Sequence, residues 1–167
     1  MLIFGAKGFA IEVLNILSEN QYKENIVFYD DISNDLDKML YSKYPILKNK
    51  IEVQEFFLKN GSSFTIGIGN PNLRAKIYKQ FKNIGGKLTS TISSNSAIGH
   101  YDTKIDIGCN ILSGVKISNS VSIGIGCLIY YNSVITHNCV IGDFVEISPS
   151  VNILGHVEIC RNTHIGS

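Results

Sequence analysis

A chain of 167 residues has material for one or two modest cores. Charged residues make up 17% of it and the net charge is +1, so its field is too weak to make nucleic acid or an anionic membrane the main partner, and a small ligand fits better. No apolar run approaches the roughly 20 residues of a membrane span, and MLIFGAKGFA is too short and glycine-broken for a signal peptide. Membrane insertion is therefore not expected, and the cytoplasm is the expected compartment.

In chain order, the apolar run 1–4 ends in the turn Gly5-Ala6-Lys7-Gly8, and Phe9, Val13, Ile16 and Leu17 follow at helical spacing. Residues 26–29 read as a second strand ending in Asp30-Asp31, 51–60 as a helix, and 64–68 as a third strand closed by Gly69-Asn70-Pro71. A helix over 72–83 comes next, with Asn70 as its cap and Pro71 near its first turn. This alternation predicts a small α/β subdomain of Rossmann type over residues 1–86, bounded by Gly85-Gly86.

A glycine turn feeding a helix N-terminus offers backbone N–H groups to a phosphate, and an acidic residue ending the second strand can take a ribose hydroxyl. Gly5, Lys7, Gly8 and Asp30 occupy those places. GAKG is not the full G-x-G-x-x-G fingerprint, however, so a structural turn and a solvated strand end at Asp30 and Asp31 stay open. The unit is also too small for a dinucleotide-dependent oxidoreductase.

From residue 105 a hexad repeat takes over. Isoleucine recurs every sixth position from Ile105 to Ile165, and the column two residues earlier, Thr103 through Thr163, is always Cys, Ser, Thr or Val. A period of six fits a short strand plus a corner. Three such sides close a triangular coil, so isoleucines 18 apart should stack in a dry core, with coils about 4.8 Å apart. Gly124, Gly126, Gly142 and Gly166 are expected at corners that need unusual dihedrals. Ile92 and Ile98 continue the spacing before a one-residue slip, which predicts a parallel β-helix over 87–167.

Cys109, Cys127, Cys139 and Cys160 have no CxxC spacing and read as buried free thiols. His100, His137, His156 and His164 share no column that would make a metal site, and no metal is expected. His137, two residues past Ile135, points outward near a corner; position alone gives it no role.

The segment VITHNCVIGDF at 134–144 resembles the signature of hexapeptide acyltransferases of the sialic acid O-acetyltransferase and UDP-4-amino-sugar N-acetyltransferase (bacillosamine pathway) family. IFGAKGFA, VFYDD at 27–31 and IGIGNPNLRAKIY at 66–78 are similar to the same family in the same order. The resemblance implies a left-handed β-helix, an exception to the usual crossover hand. It implies a homotrimer with active sites between subunits, using acetyl-CoA to acylate an amino or hydroxyl group of a nucleotide-linked sugar. By that resemblance His137 is the general base, with Asn138 beside it where the family usually has a carboxylate. Gly155 and Glu146 fall at the acetyl-CoA site, Glu146 where a second histidine is usual. The nucleotide sugar is implied to rest on Gly5, Lys7, Gly8, Asp30, Asp31, Gly69 and Asn70. Phe9 also departs from a family histidine, and further closing coils are implied beyond residue 167, so weak coenzyme A binding is an expectation. The rival reading is a non-catalytic trimer that binds a nucleotide sugar or scaffolds other subunits.

Overall fold

The computed structural model describes residues 1–166. The chain opens with strand β1 (Leu2–Phe4), helix α1 (Phe9–Glu19), β2 (Val27–Tyr29), β3 (Met39–Leu40) and β4 (Tyr44–Leu47). Helix α2 (Lys50–Asn60), β5 (Ser63–Ile66), α3 (Pro71–Asn83) and β6 (Lys87–Leu88) complete one sheet of order β3-β4-β2-β1-β5-β6. All its pairings are parallel except β3 with β4. Strands β3, β4 and β6 are additions to the sequence reading, which has three strands. Pro45 lies inside β4 and the other two are only two residues long, so neither periodicity nor composition marks them.

Two of the helix starts follow from side-chain caps. Asn49 Oδ1 accepts from the Glu52 N–H at 3.0 Å, and Asn70 Oδ1 from the Leu73 N–H at 3.0 Å, with Pro71 in the first turn of α3. The α1 N-terminus has no side-chain cap; Gly8 precedes it at φ 46°. Apolar residues from β1, β2, β5, α2 and α3 pack into one core, and α1 fills a second with Leu112 and Leu128 of the next domain.

From β7 (Thr91–Ile92) to β19 (His164–Ile165) the chain is thirteen two-residue strands, arranged as a left-handed parallel β-helix with three faces. Ile92, Ile111, Ile129, Ile147 and Ile165 pair in register on one face. Ile98, Ile117, Ile135 and Ile153 stack on the second, and Ile105, Ile123, Ile141 and Ile159 on the third. The one-residue slip between Ile98 and Ile105 is why Ile92 pairs with Ile111, 19 residues on, while Ile105 pairs with Ile123, 18 on. Most of these side chains form one buried cluster with Cys109, Val115, Val121, Cys127, Cys139 and Val145.

The corners correct one expectation. Left-handed backbone recurs every sixth residue at Asp102, Gly108, Gly114, Ser120, Gly126, Asn132, Asn138, Phe144, Ser150, His156 and Asn162. Of the four glycines expected there, only Gly126 is in that set. Gly124 and Gly142 are required for room instead: an added Cβ would lie 2.4 Å from Asp143 Oδ1 and 2.6 Å from the Arg161 nitrogen. Gly166 meets neither demand.

The small inward column also has a polar logic. Cys109, Cys127 and Cys139 donate their thiols to the carbonyls of Gly124, Gly142 and Leu154, and Ser133 donates its hydroxyl to Ser148, each 15 residues ahead. They satisfy corner carbonyls while staying small enough for the core. Cys160, by contrast, is exposed, a correction to the reading of all four cysteines as buried.

The first domain sits on the first face of the β-helix. Asn110 receives hydrogen bonds from Thr65 (3.0 Å) and Thr91 and donates to the Ile66 carbonyl at 2.9 Å. Arg74 of α3 is 1% exposed and reaches across to the carbonyls of Gly126 (3.1 Å), Phe144 (2.8 Å) and Val145 (3.0 Å). Among the described residues no helix is long and apolar enough to cross a membrane.

Candidate active site

The sheet of the first domain changes direction at β1: the chain runs outward through β2 and β4, then returns to add β5 on the other side. Loops after β1 and β5 therefore diverge, the usual place for a ligand crevice in a parallel sheet. Gly5 and Gly8 occupy the first loop at φ 93° and 46°, and Gly69 and Asn70 the second. Gly67 lets the end of β5 lie against the first turn of α1, since a Cβ there would be 2.6 Å from Ala10 Cα. Lys7 is half-exposed, and its ammonium bonds Asp35 at 2.5 and 2.7 Å, so the loop after β2 is strapped across the glycine turn.

Asp30 and Asp31 end β2 beside these loops but are engaged locally. Asp30 Oδ1 accepts from the Ile32 (3.1 Å) and Ser33 (2.8 Å) N–H groups, and its Oδ2 from the Ser33 hydroxyl at 3.1 Å. Burial alone would raise its pKa, but these bonds outweigh that and hold the carboxyl below the ordinary carboxylate range. Asp31 accepts from the Tyr29 hydroxyl at 2.8 Å. Asn70 is likewise spoken for at its Oδ1 by the α3 cap, and the Gly69 carbonyl by the Arg74 guanidinium.

His137 lies at the corner between the second and third faces, exposed to solvent. Its Nδ1 is 2.9 Å from Asn138 Oδ1. An amide oxygen only accepts, so this contact puts the ring proton on Nδ1 and, among the described residues, leaves the Nε2 lone pair free of a protein partner. Asn138 takes φ 59°, a conformation Asn tolerates better than most residues, and that turn brings its amide back to the ring. Gly155, 18 residues later, lies against the imidazole on the next coil, and His156 stacks edge-on to it at 5.4 Å between centroids.

His137, Asn138 and Gly155 are thus brought together. Glu146 is not with them: it projects from the first face, where Arg74 is 3.7 Å away and Gly69 adjacent. The chain therefore holds two separate groups, the crevice with Gly5, Gly8, Gly69 and Glu146, and the histidine corner across the prism. Arg74 escaped the sequence reading because a helix arginine is ordinarily solvated, and its partners other than Gly69 are carbonyls 52 to 71 residues away. Among the described residues no group of three or more His, Cys, Asp or Glu could hold a metal ion.

Residues 1–81 match the PglD N-terminal domain. Over 170 aligned positions the chain is 28% identical to GDP-perosamine N-acetyltransferase of Escherichia coli O157:H7, covering 99% of this chain and 74% of that protein. Its fold is similar to the acetyltransferase domain of PglB from Neisseria gonorrhoeae, at TM-score 0.87 and 20% identity over 99% of this chain and 78% of that one. That domain has also been solved with acetyl coenzyme A. A variant of perosamine N-acetyltransferase from Caulobacter crescentus, in complex with CoA and GDP-perosamine, superposes at TM-score 0.79 and 17% identity, over 98% of this chain and 83% of that one. The first 81 residues thus match the PglD N-terminal domain, and along nearly its whole length the chain is similar to a GDP-perosamine N-acetyltransferase.

Proposed function

We propose that the protein transfers an acetyl group from acetyl-CoA to the amine of a nucleotide-linked amino sugar, as a homotrimer acting in the cytoplasm. The observation that carries this is the histidine corner: an exposed imidazole whose Nδ1 bonds Asn138 at 2.9 Å, leaving Nε2 free to take a proton. The amine attacks the thioester carbon, His137 takes the proton the amine loses, and the C–S bond breaks with that proton passing to the departing thiolate. Gly155 lies beside the ring, and its amide is the candidate donor to the carbonyl oxygen as negative charge develops there.

The nucleotide belongs in the crevice of the first domain. Gly5, Lys7 and Gly8 surround the uncapped α1 N-terminus, where backbone N–H groups favour a pyrophosphate, and Lys7 would exchange Asp35 for that charge. Asp30 acts by holding its own loop, with Asp31, Gly69 and Asn70 lining the rest. The crevice and His137 lie on opposite sides of one prism, so a complete site needs the histidine corner of one subunit against the crevice of the next.

A thiol-release assay with acetyl-CoA and GDP- and UDP-linked 4-amino sugars tests the proposal. Release that depends on the amino sugar supports it. A trimer that binds the nucleotide sugar and releases no thiol instead supports the scaffolding reading.

A further inference from the structure

The outward residues of the face that carries the first domain form a second ladder. Thr91, Asn110, Leu128, Glu146 and His164 pair in register from coil to coil. The first three are sealed under the first domain, at 2%, 1% and 0% exposure. Glu146 is the rung at the rim: its side chain is 13% exposed, whereas that of His164, one coil further on, is 54% exposed. The carboxylate thus stands at the lip of the crevice, above the last rung that the first domain buries.

Its orientation is set from behind. The Arg74 guanidinium is 3.7 Å from Oε2, while Oε1 lies so near Gly69 that a Cβ there would be 3.4 Å from it. Arg74 spends most of its donors on the carbonyls of Gly69, Gly126, Phe144 and Val145. At 3.7 Å it attracts Glu146 as an ion pair without hydrogen-bonding it, and so leaves the carboxylate's acceptor capacity unused. His164 Nε2, 4.0 Å from Oε1, is beyond hydrogen-bond reach and bonds Ser148 at 3.1 Å instead. A nearly buried carboxylate with acceptor capacity left over is costly to desolvate unless a ligand supplies donors.

We propose that Glu146 is the specificity-determining residue of the acceptor site: its carboxylate accepts hydrogen bonds from the amine of the sugar and selects amino sugars over their hydroxyl counterparts. This rests on the reading above that the nucleotide sugar lies in the first domain's crevice, and it replaces the acetyl-donor role that family resemblance gives this position. An amine, protonated on arrival, forms a charge-assisted pair with the carboxylate, whereas a hydroxyl forms a weaker bond; the ammonium gives one proton to solvent before the neutral amine attacks, and His137 takes the second. The selection is the difference between those two bonds, since the hydroxyl brings one donor and no charge where the ammonium brings three donors and a charge.

Isothermal titration calorimetry on the full chain tests this, with GDP, GDP-perosamine and the 4-hydroxy analogue of that sugar nucleotide as probes, repeated with the UDP series. The parent should prefer the amino sugar. E146Q, which keeps the side chain's size, should lose about tenfold or more of its affinity for the amino sugar while binding the nucleoside diphosphate and the hydroxy analogue as the parent does. Unchanged diphosphate binding doubles as the control for folding, and E146D, with the charge set back by one methylene, should fall between. The inference is overturned if E146Q binds the amino sugar like the parent, if it loses diphosphate binding equally, or if the parent prefers neither amino sugar to its hydroxy analogue. Acetyl transfer is scored separately. A parent that discriminates at Glu146 yet releases no thiol contradicts the transferase reading alone.

Discussion

Gly155 lies directly against the His137 imidazole: a Cβ on Gly155 would come within 2.6 Å of the ring's Cε1 and 3.0 Å of its Nε2. The glycine backbone is not in the left-handed region, so alanine is acceptable to the chain there and objectionable only to the histidine. Gly155→Ala should therefore displace the ring and lower kcat by about tenfold to a hundredfold, the usual result of misplacing a reacting group by an ångström. Nucleotide-sugar binding, measured by calorimetry, should be unchanged. An alanine variant with parental kcat would remove Gly155 from the site.

Asn138 holds the imidazole with a neutral acceptor. Asp is also tolerated at its φ of 59°, so Asn138→Asp changes the charge and leaves the turn intact. A carboxylate beside the ring stabilises its protonated form, raising basicity. The ascending limb of the pH–rate profile should move to higher pH and the plateau rate should rise. A profile that moves to lower pH would argue against Nδ1 as the partner of this side chain.

Ile129 is fully buried between Ile111 and Ile147 on one ladder. Ile129→Ala should cost about 2–5 kcal/mol in a urea titration, from lost burial plus the cavity left in a stack that cannot collapse sideways. Substituting its outward neighbour in the strand, Leu128, tests a different contact, because that side chain packs against α1 rather than within the β-helix.

Asp30 makes stability depend on acid. Hydrogen bonds from Ser33 and Ile32 outweigh burial and depress its folded pKa, so the stabilisation is fully present above the ordinary carboxylate value of about 3.9 and is lost as the pH falls through the folded value. Asp30→Asn should be less stable than the parent at pH 7, by about 1–2 kcal/mol, with the gap closing in acid. A gap that widens below pH 4 would contradict the assignment.

How far these features were legible depended on whether they were periodic. The isoleucine ladder, its one-residue slip and the adjacency of His137 and Gly155 follow from counting, because 18 residues make one coil. The same arithmetic separates Glu146 from His137, since nine residues are half a coil. Arg74 was invisible: all its partners but Gly69 belong to another domain, and nothing in PNLRAKIY distinguishes a buried strut from a solvated helix residue. The left-handed corners were foreseen as a need for glycine, yet Asn, Ser, His, Asp and even Phe144 fill them, because coil stacking supplies what the local preference lacks.

The central claim, a transferase whose site is shared between subunits with His137 as its base, is tested most directly by complementation. His137→Ala and Lys7→Glu each disable one half of the site, so each alone should lower thiol release, His137→Ala by about 10²–10⁴-fold. Co-expressed, the two chains form mixed trimers in which some crevices meet an intact histidine, and a substantial fraction of parental activity should return. If His137→Ala alone matches the parent, or mixed trimers are no more active than the single variants, the claim is wrong.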